Sequence, residues 1–205
     1  MDHEFILLGD YVDRGPASNE VIGFLMREQA AGKCRLRCLR GNHDDMLLRA
    51  ADPARSDAEL MQWFGNGGEA TLDAYGLDDP VELPADHLAW IAALPIRVHE
   101  GERFFVHAGV RPAIPLDQQV ERDLLWIREP FLSSPQWHGA LVVHGHTPTA
   151  GAAPDVRSNR VNVDTGACFG RSLTAAAFEA DRRGAAFFIN SDGLRFEMPE
   201  SDGRR

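Results

Sequence analysis

The sequence predicts an α/β protein built on two β-sheets, and three observations carry that expectation. An apolar run, a helical pattern and a second apolar run succeed one another between Phe5 and Leu39. Polar clusters rich in Asp, Asn, His and Gly stand directly after such runs, where an open α/β sheet binds its ligands. Beyond Val161 the chain breaks into short apolar runs separated by turn residues, the signature of hairpins.

Taken in order, Phe5 to Leu8 is an apolar run closed by Gly9 and reads as a buried strand. Asn19 to Ala31 carries Val21, Ile22, Leu25 and Met26 at helical spacing, with Gly32 as the stop. Arg35 to Leu39 is the second strand, and strand–helix–strand over this length is a parallel crossover. From Asp44 to about Leu94 the pattern is helical, the last helix running from Asp86 until Pro95 ends it. Strands are expected at Ile96 to His99, Arg103 to Val106 and Ala140 to Val143. Val161 to Val163, Leu173 to Phe178, Ala185 to Ile189 and Leu194 to Met198 then make the hairpin-rich second sheet. Residues 199–205 are polar and expected to fray. With no repeat or linker, residues 1–205 read as a single domain.

Composition narrows the function. Apolar residues at 44% and charged residues at 25% are ordinary for a globular chain. Lys and Arg number 21 against 31 Asp and Glu, a formal net charge of −10. That balance argues against general affinity for nucleic acid or anionic membranes, which demand a basic face. It leaves phosphorylated substrates open, because bound cations invert the local field. No run approaches the ~20 apolar residues of a membrane span, and no secretory signal precedes Phe5, so a cytoplasmic location is expected. Cys34, Cys38 and Cys168 make no disulfide framework. Cys34 and Cys38 alternate with Arg35 and Arg37 and are read as buried core thiols.

Four polar clusters follow predicted strands: Gly9-Asp10-Tyr11-Val12-Asp13-Arg14-Gly15, Gly41-Asn42-His43-Asp44, His107-Ala108-Gly109 and Gly145-His146-Thr147. Their carboxylate, amide oxygen and imidazoles suit a borderline-hard divalent ion such as Mn, Fe or Zn. Each cluster alone is as well read as a turn; all four in one order are hard to obtain by chance. Together they resemble the signature blocks of the PPP-type phosphatases, within the calcineurin-like metallophosphoesterases: G-D-x-x-D-R-G, G-N-H-[DE], H-[AG]-G and G-H-T. Asn162-Val163-Asp164-Thr165-Gly166-Ala167 is similar to the N-x-D-T-G-A strand of bacterial and phage members.

The resemblance implies an α-β-β-α sandwich with two central sheets and metals at the strand ends. It implies that Asp10 bridges two metal ions, and that Asn42, His107 and His146 complete the second site. Arg14 would hold phosphoryl oxygens, and His43, oriented by Asp13, would protonate the departing alkoxide. Leu125-Trp126-Ile127-Arg128 resembles the W-x-R segment of lambda-phage-type members, making Arg128 a second phosphate clamp; the alternative is a surface arginine beside Glu129. Trp63 to Leu72 resembles the N-G-G-x-x-T-L segment of the same branch and would line the cleft, or simply be a glycine loop starting a helix. His144 is a strand residue or a contact behind the ligands rather than a ligand, Asp164 is expected to brace a nearby loop by hydrogen bonding, and His87, His99 and His138 are surface or satisfied core residues.

The implied reaction is direct phosphoryl transfer to water on a phosphomonoester, with serine/threonine phosphoproteins the first substrate class and manganese the first metal. Symmetrical cleavage of diadenosine tetraphosphate is the enzymatic alternative. The family also opens with G-D-x-H-G, which supplies the first metal site and has no counterpart here. Asp2-His3 precedes the first strand and is no substitute. The expectation is therefore a fold without its first strand and helix, one complete metal site, and a chain that is weakly active or a non-enzymatic phosphate-binding module, the segment being either lost or cut off by a misassigned start.

Overall fold

The structure, a computed structural model, describes residues 3–180 and 182–197. The expectations for Asp2, Met198 and the 199–205 tail lie outside the described residues. The chain forms two compact units, residues 1–98 and 99–205.

In the first unit β1 (Glu4–Leu7) and β2 (Arg35–Cys38) pair in parallel, Phe5 opposite Leu36, with α1 (Ser18–Ala31) as the crossover. The helix stops where Gly32 turns left-handed (φ 62°) and gives its N–H to Glu28 O, the glycine stop read from sequence. The helical region resolves into α2 (Asn42–Ala50), α3 (Asp57–Phe64), α4 (Glu69–Tyr75) and α5 (Ala85–Ala93). Ser56 caps α3: its Oγ accepts from Glu59 N, and the Glu59 carboxylate reaches back to Ser56 N. Trp63, Ile22, Leu39, Leu47 and Ile91 fill this unit's core. A cavity of about 220 Å³ lies among Gln29, Leu36, Cys38, Trp90 and Leu94, where the Trp90 indole donates to Gln29 Oε1 (2.7 Å).

The second unit opens within β3 (Arg97–Glu100) and carries a five-stranded sheet in the order β3-β4-β5-β7-β6. Here β4 is Arg103–Val106, β5 Leu141–His144, β6 Asp155–Val156 and β7 Arg160–Asn162. β4 and β7 both run parallel to β5, and β6 closes the edge antiparallel. A short helix, α6 (Glu121–Trp126), lies between β4 and β5. The last three strands, β8 (Thr174–Phe178), β9 (Ala185–Asn190) and β10 (Arg195–Phe196), form an antiparallel meander. Leu141, Val161 and Phe188 are buried together with Phe178, Ala176 and Phe196 against them, so the two sheets of this unit share one core. A fully buried Phe such as Phe188 contributes about 2–3 kcal/mol.

The hairpin-rich sheet is present as expected, with one correction: Val161 belongs to β7 of the mixed sheet. The reason is Arg160, whose buried guanidinium is held by Asp155 (2.7 Å) and Leu132 O (3.0 Å), anchoring the strand beside β5. A second correction concerns the thiols: Cys38 is buried, whereas Cys34, at the mouth of β2, is only partly so. Burial first of all pushes the Cys38 thiol up to about 11, which keeps it inert. No helix among the described residues is long and apolar enough to cross a membrane.

Candidate active site

In the first unit the loop after β1 and the start of α2 after β2 are tied into one body. The Asp10 carboxylate accepts the His43 backbone N–H (3.0 Å) at the first turn of α2, and Gly41 makes the approach possible. A Cβ on Gly41 would sit 2.2 Å from Asp10 Oδ1, closer than any real contact. Asp10, Asp13 and Arg14 all hold positive φ (63°, 71° and 61°) without being glycine, which costs of order 1–3 kcal/mol each. That strain persists because other contacts fix the loop.

Asp44 supplies them. Its Oδ2 accepts from Asp10 N (2.8 Å) and Gly41 N (2.7 Å), and its Oδ1 accepts from Tyr11 N (3.0 Å). Burial, and then the charge of Asp10, push the Asp44 carboxyl up to about 6 against these three N–H donors. In the sequence Asp44 stands only as the last residue of its motif; its place three residues after Gly41 is the helix-start pattern that signals it.

His43 is buried, and its Nδ1 lies 2.7 Å from Asp13 Oδ2. Asp13 is itself buried and takes two more hydrogen bonds on Oδ1, from the Trp63 indole and the Thr71 hydroxyl, both at 2.9 Å. Trp63 and Thr71 belong to the glycine segment that was expected to line a cleft; what they line is the Asp13 carboxylate. Asn42 is buried as the first residue of α2, and Arg14 is exposed beside this pair. The first unit thus brings together five of the residues singled out in sequence: Asp10, Asp13, Arg14, Asn42 and His43.

The second unit brings together His107 and His146. His107 follows β4 and His146 follows β5, and Gly145 N donates to His107 O (2.8 Å) across the two loops. Their rings converge, His107 Nε2 lying 3.2 Å from His146 Nδ1. His146 adopts φ 66°, and Trp126 at the end of α6 packs edge-on against it. Asn162 braces this turn: its Nδ2 donates to Thr147 O (2.8 Å) while its Oδ1 accepts from Asp164 N (2.9 Å). Asp164 in turn accepts from Gly166 N (3.0 Å), the loop-bracing role expected of it. His144 is the last residue of β5 and fully buried; burial first, then Arg160, hold its imidazole down at about 3, so it is neutral.

Two imidazole nitrogens converging within hydrogen-bond distance in the second unit, and in the first a carboxylate bonded to the residue that follows the buried Asn42 amide, are donor sets that fit a divalent cation. Arg128 is exposed two residues beyond Trp126, and its guanidinium makes no ion pair among the described residues. Glu129 is bound by the Ser133 hydroxyl instead (2.6 Å). His87 bonds the Tyr75 hydroxyl (2.6 Å), and His99 packs on Phe104. His138 differs from the expectation of a satisfied residue, since its buried Nε2 has no partner; burial lowers its pKa.

These arrangements have counterparts in known proteins. The chain is 29% identical over 186 residues to a serine/threonine-protein phosphatase 1 of Salmonella typhimurium, covering 85% of this chain and 78% of that one. It is 39% identical over 119 residues to a symmetrical bis(5'-nucleosyl)-tetraphosphatase of Paracidovorax citrulli, covering 56% of this chain and 37% of the relative. A solved cold-active protein-tyrosine phosphatase of a Shewanella species superposes with a TM-score of 0.64 at 16% identity, covering 95% of this chain and 69% of that one, a likeness of fold. The calcineurin-like phosphoesterase profile matches residues 2–176. By its motifs, its α/β architecture and that match, the chain belongs to the calcineurin-like phosphoesterase family and has its fold.

Proposed function

We propose that this protein hydrolyses phosphomonoesters and that serine/threonine phosphoproteins are its principal substrates. The observation that carries the reading is the buried Asp13–His43 pair at 2.7 Å, set between the Asp10 and Asn42 loops. A carboxylate accepting the Nδ1–H leaves Nε2 as the atom through which the ring can take up and give a proton. In this reading Asp10 and Asn42, with His107 and His146, hold a divalent cation, manganese first, with iron or zinc as alternatives. Bound there, divalent cations supply Lewis acidity to the phosphoryl oxygens and an attacking water of lowered pKa. Arg14 and Arg128 hold the remaining phosphoryl oxygens through guanidinium forks. His43 Nε2 gives its proton to the departing alkoxide, and Asp13 steadies the ring while it does so. The similarity to the Salmonella phosphatase over most of both chains supports the phosphoprotein reading. The Paracidovorax relative supports a second one, symmetrical cleavage of a dinucleoside tetraphosphate.

Assay of the manganese-loaded chain on a phosphoserine peptide and on diadenosine tetraphosphate separates the two. Faster turnover of the peptide is expected, and His43→Asn lowers kcat by about 10²–10⁴-fold with KM little changed. Turnover of the dinucleotide alone would move the assignment to the second reading, and turnover of neither would overturn both. In this reading the four donors share a single cation, and elemental analysis is expected to return one tightly held ion per chain.

A further inference from the structure

We infer that Trp63 and Thr71 are positioning residues for proton donation, forming a clamp that fixes the plane in which the Asp13 carboxylate meets His43. The inference rests on the phosphoesterase reading for its catalytic consequence, and on the first unit alone for its geometry. Asp13 Oδ1 accepts from the Trp63 indole Nε1 (2.9 Å) and from the Thr71 hydroxyl (2.9 Å). The same hydroxyl accepts from Asp13 N (2.8 Å), so Thr71 closes a ring on one residue and specifies both its backbone and its carboxylate. Only Oδ2 is left for His43 Nδ1, at 2.7 Å.

Trp63 and Thr71 are completely buried and Asp13 nearly so, with 6% of its surface exposed. Turning the carboxylate out of this plane would strand an indole N–H and a hydroxyl in a buried place. Each stranded group costs about 1–3 kcal/mol. The carboxylate therefore cannot turn independently of the clamp, and the imidazole it orients is held with it.

The segment is shaped for this contact. Gly68 lies flat on the Trp63 ring, where a Cβ would come within 2.3 Å of Cε2. Gly67, at φ +97°, accepts the Arg14 N–H on its carbonyl (3.0 Å). The glycine segment thus grips Asp13 by its side chain and Arg14 by its backbone. A tryptophan serving only as core would be replaceable by phenylalanine without consequence for the chemistry; one serving as a donor would not.

The test uses Trp63→Phe, Thr71→Val and Thr71→Ser in the full chain. Proton donation matters for a poor leaving group and little for a good one. Against phenyl phosphate the Phe and Val variants are expected to lose about tenfold or more in kcat. Against 2,4-dinitrophenyl phosphate they should stay within about twofold of the wild type, with KM unchanged on both, and Thr71→Ser should recover the phenyl phosphate rate. Equal losses on both esters, or no loss on either, overturn the clamp. A second readout needs neither metal nor turnover. The Trp63 indole proton, followed by NMR in the metal-free chain, should be shifted downfield and slow to exchange, and Asp13→Asn should move it. An indole signal indifferent to Asp13→Asn also overturns the clamp. Should the wild type hydrolyse neither ester, the phosphoesterase reading falls, and the indole measurement alone decides whether the clamp exists.

Discussion

Asp44 shows how much of the site depends on one carboxylate. Three backbone N–H groups, from Asp10, Tyr11 and Gly41, converge on it from two loops. Asp44→Ala leaves these donors without their acceptor in a buried place, at about 1–3 kcal/mol for each that finds no water. Chemical denaturation of the metal-free variant is expected to show a loss of at least about 3 kcal/mol. A second charge, Asp155, gives a pH-dependent prediction. Burial raises its pKa, but the hydrogen bonds and charges of Arg160 and then Arg157 outweigh that, and the net shift is downward. A depressed carboxyl stabilises the fold above its unfolded value, near 3.8, and the contribution disappears as pH falls through the lower folded value. Asp155→Asn should therefore destabilise the chain at neutral pH, where the Arg160 guanidinium loses its charged partner, and flatten the acid limb of a stability–pH profile. A profile parallel to the wild type below pH 3.8 would contradict it. At this scale the sequence revealed residues whose chemistry is conspicuous, such as Asp10, His43, His107 and His146. It concealed the roles of Trp63 and Thr71, whose hydrogen bonds go to Asp13, 50 and 58 positions away.

Elements were legible in proportion to their length and to the contrast at their ends. Helix α1, bounded by Gly32, and β4 at Arg103–Val106 stand where the apolar pattern puts them. The pattern left no mark of α6, six residues long, or of β6, only two, since neither spans enough turns or pleats to set up a period. Sheet membership was harder still. β7 alternates much like its neighbours in sequence, and its place beside β5 is set by pairing, Val143 with Val161, that no local window contains. End signals are stronger, and α3 offers a check. Among the described residues Ser56 is the only side chain accepting from Glu59 N, and Glu59 answers on Ser56 N and Oγ. The site lies on the surface, so Ser56→Ala removes the cap without a cavity and is expected to cost about 1 kcal/mol. Because Trp63 lies in the last turn of α3, the thermal midpoint should fall and the Trp63 indole exchange rate rise together. A lower midpoint with an unchanged indole would mean that the first turn of α3 frays without reaching its last.

On the scale of the whole molecule the dominant fact is charge: 31 acidic against 21 basic residues surround a site read as binding an anion. A cation bound at Asp10 inverts the field locally, within a few ångströms, whereas the approach of a substrate samples the long-range field of the acidic surface. Phosphopeptides of opposite flanking charge should therefore be discriminated before they touch the site. At about 0.01 M salt the screening length is ~30 Å, comparable with the chain itself, and at about 0.15 M it is ~8 Å. With the metal saturated, kcat/KM for a peptide flanked by lysines is expected to exceed that for one flanked by glutamates at low salt. The ratio should shrink severalfold on raising salt, through the acidic peptide improving as well as the basic one declining. Turnover at saturation should hardly change, because screening acts on encounter and leaves the hydrogen-bonded Asp13–His43 pair as it is. A preference for basic flanks that survives at high salt would locate the discrimination in direct contacts with individual acidic side chains.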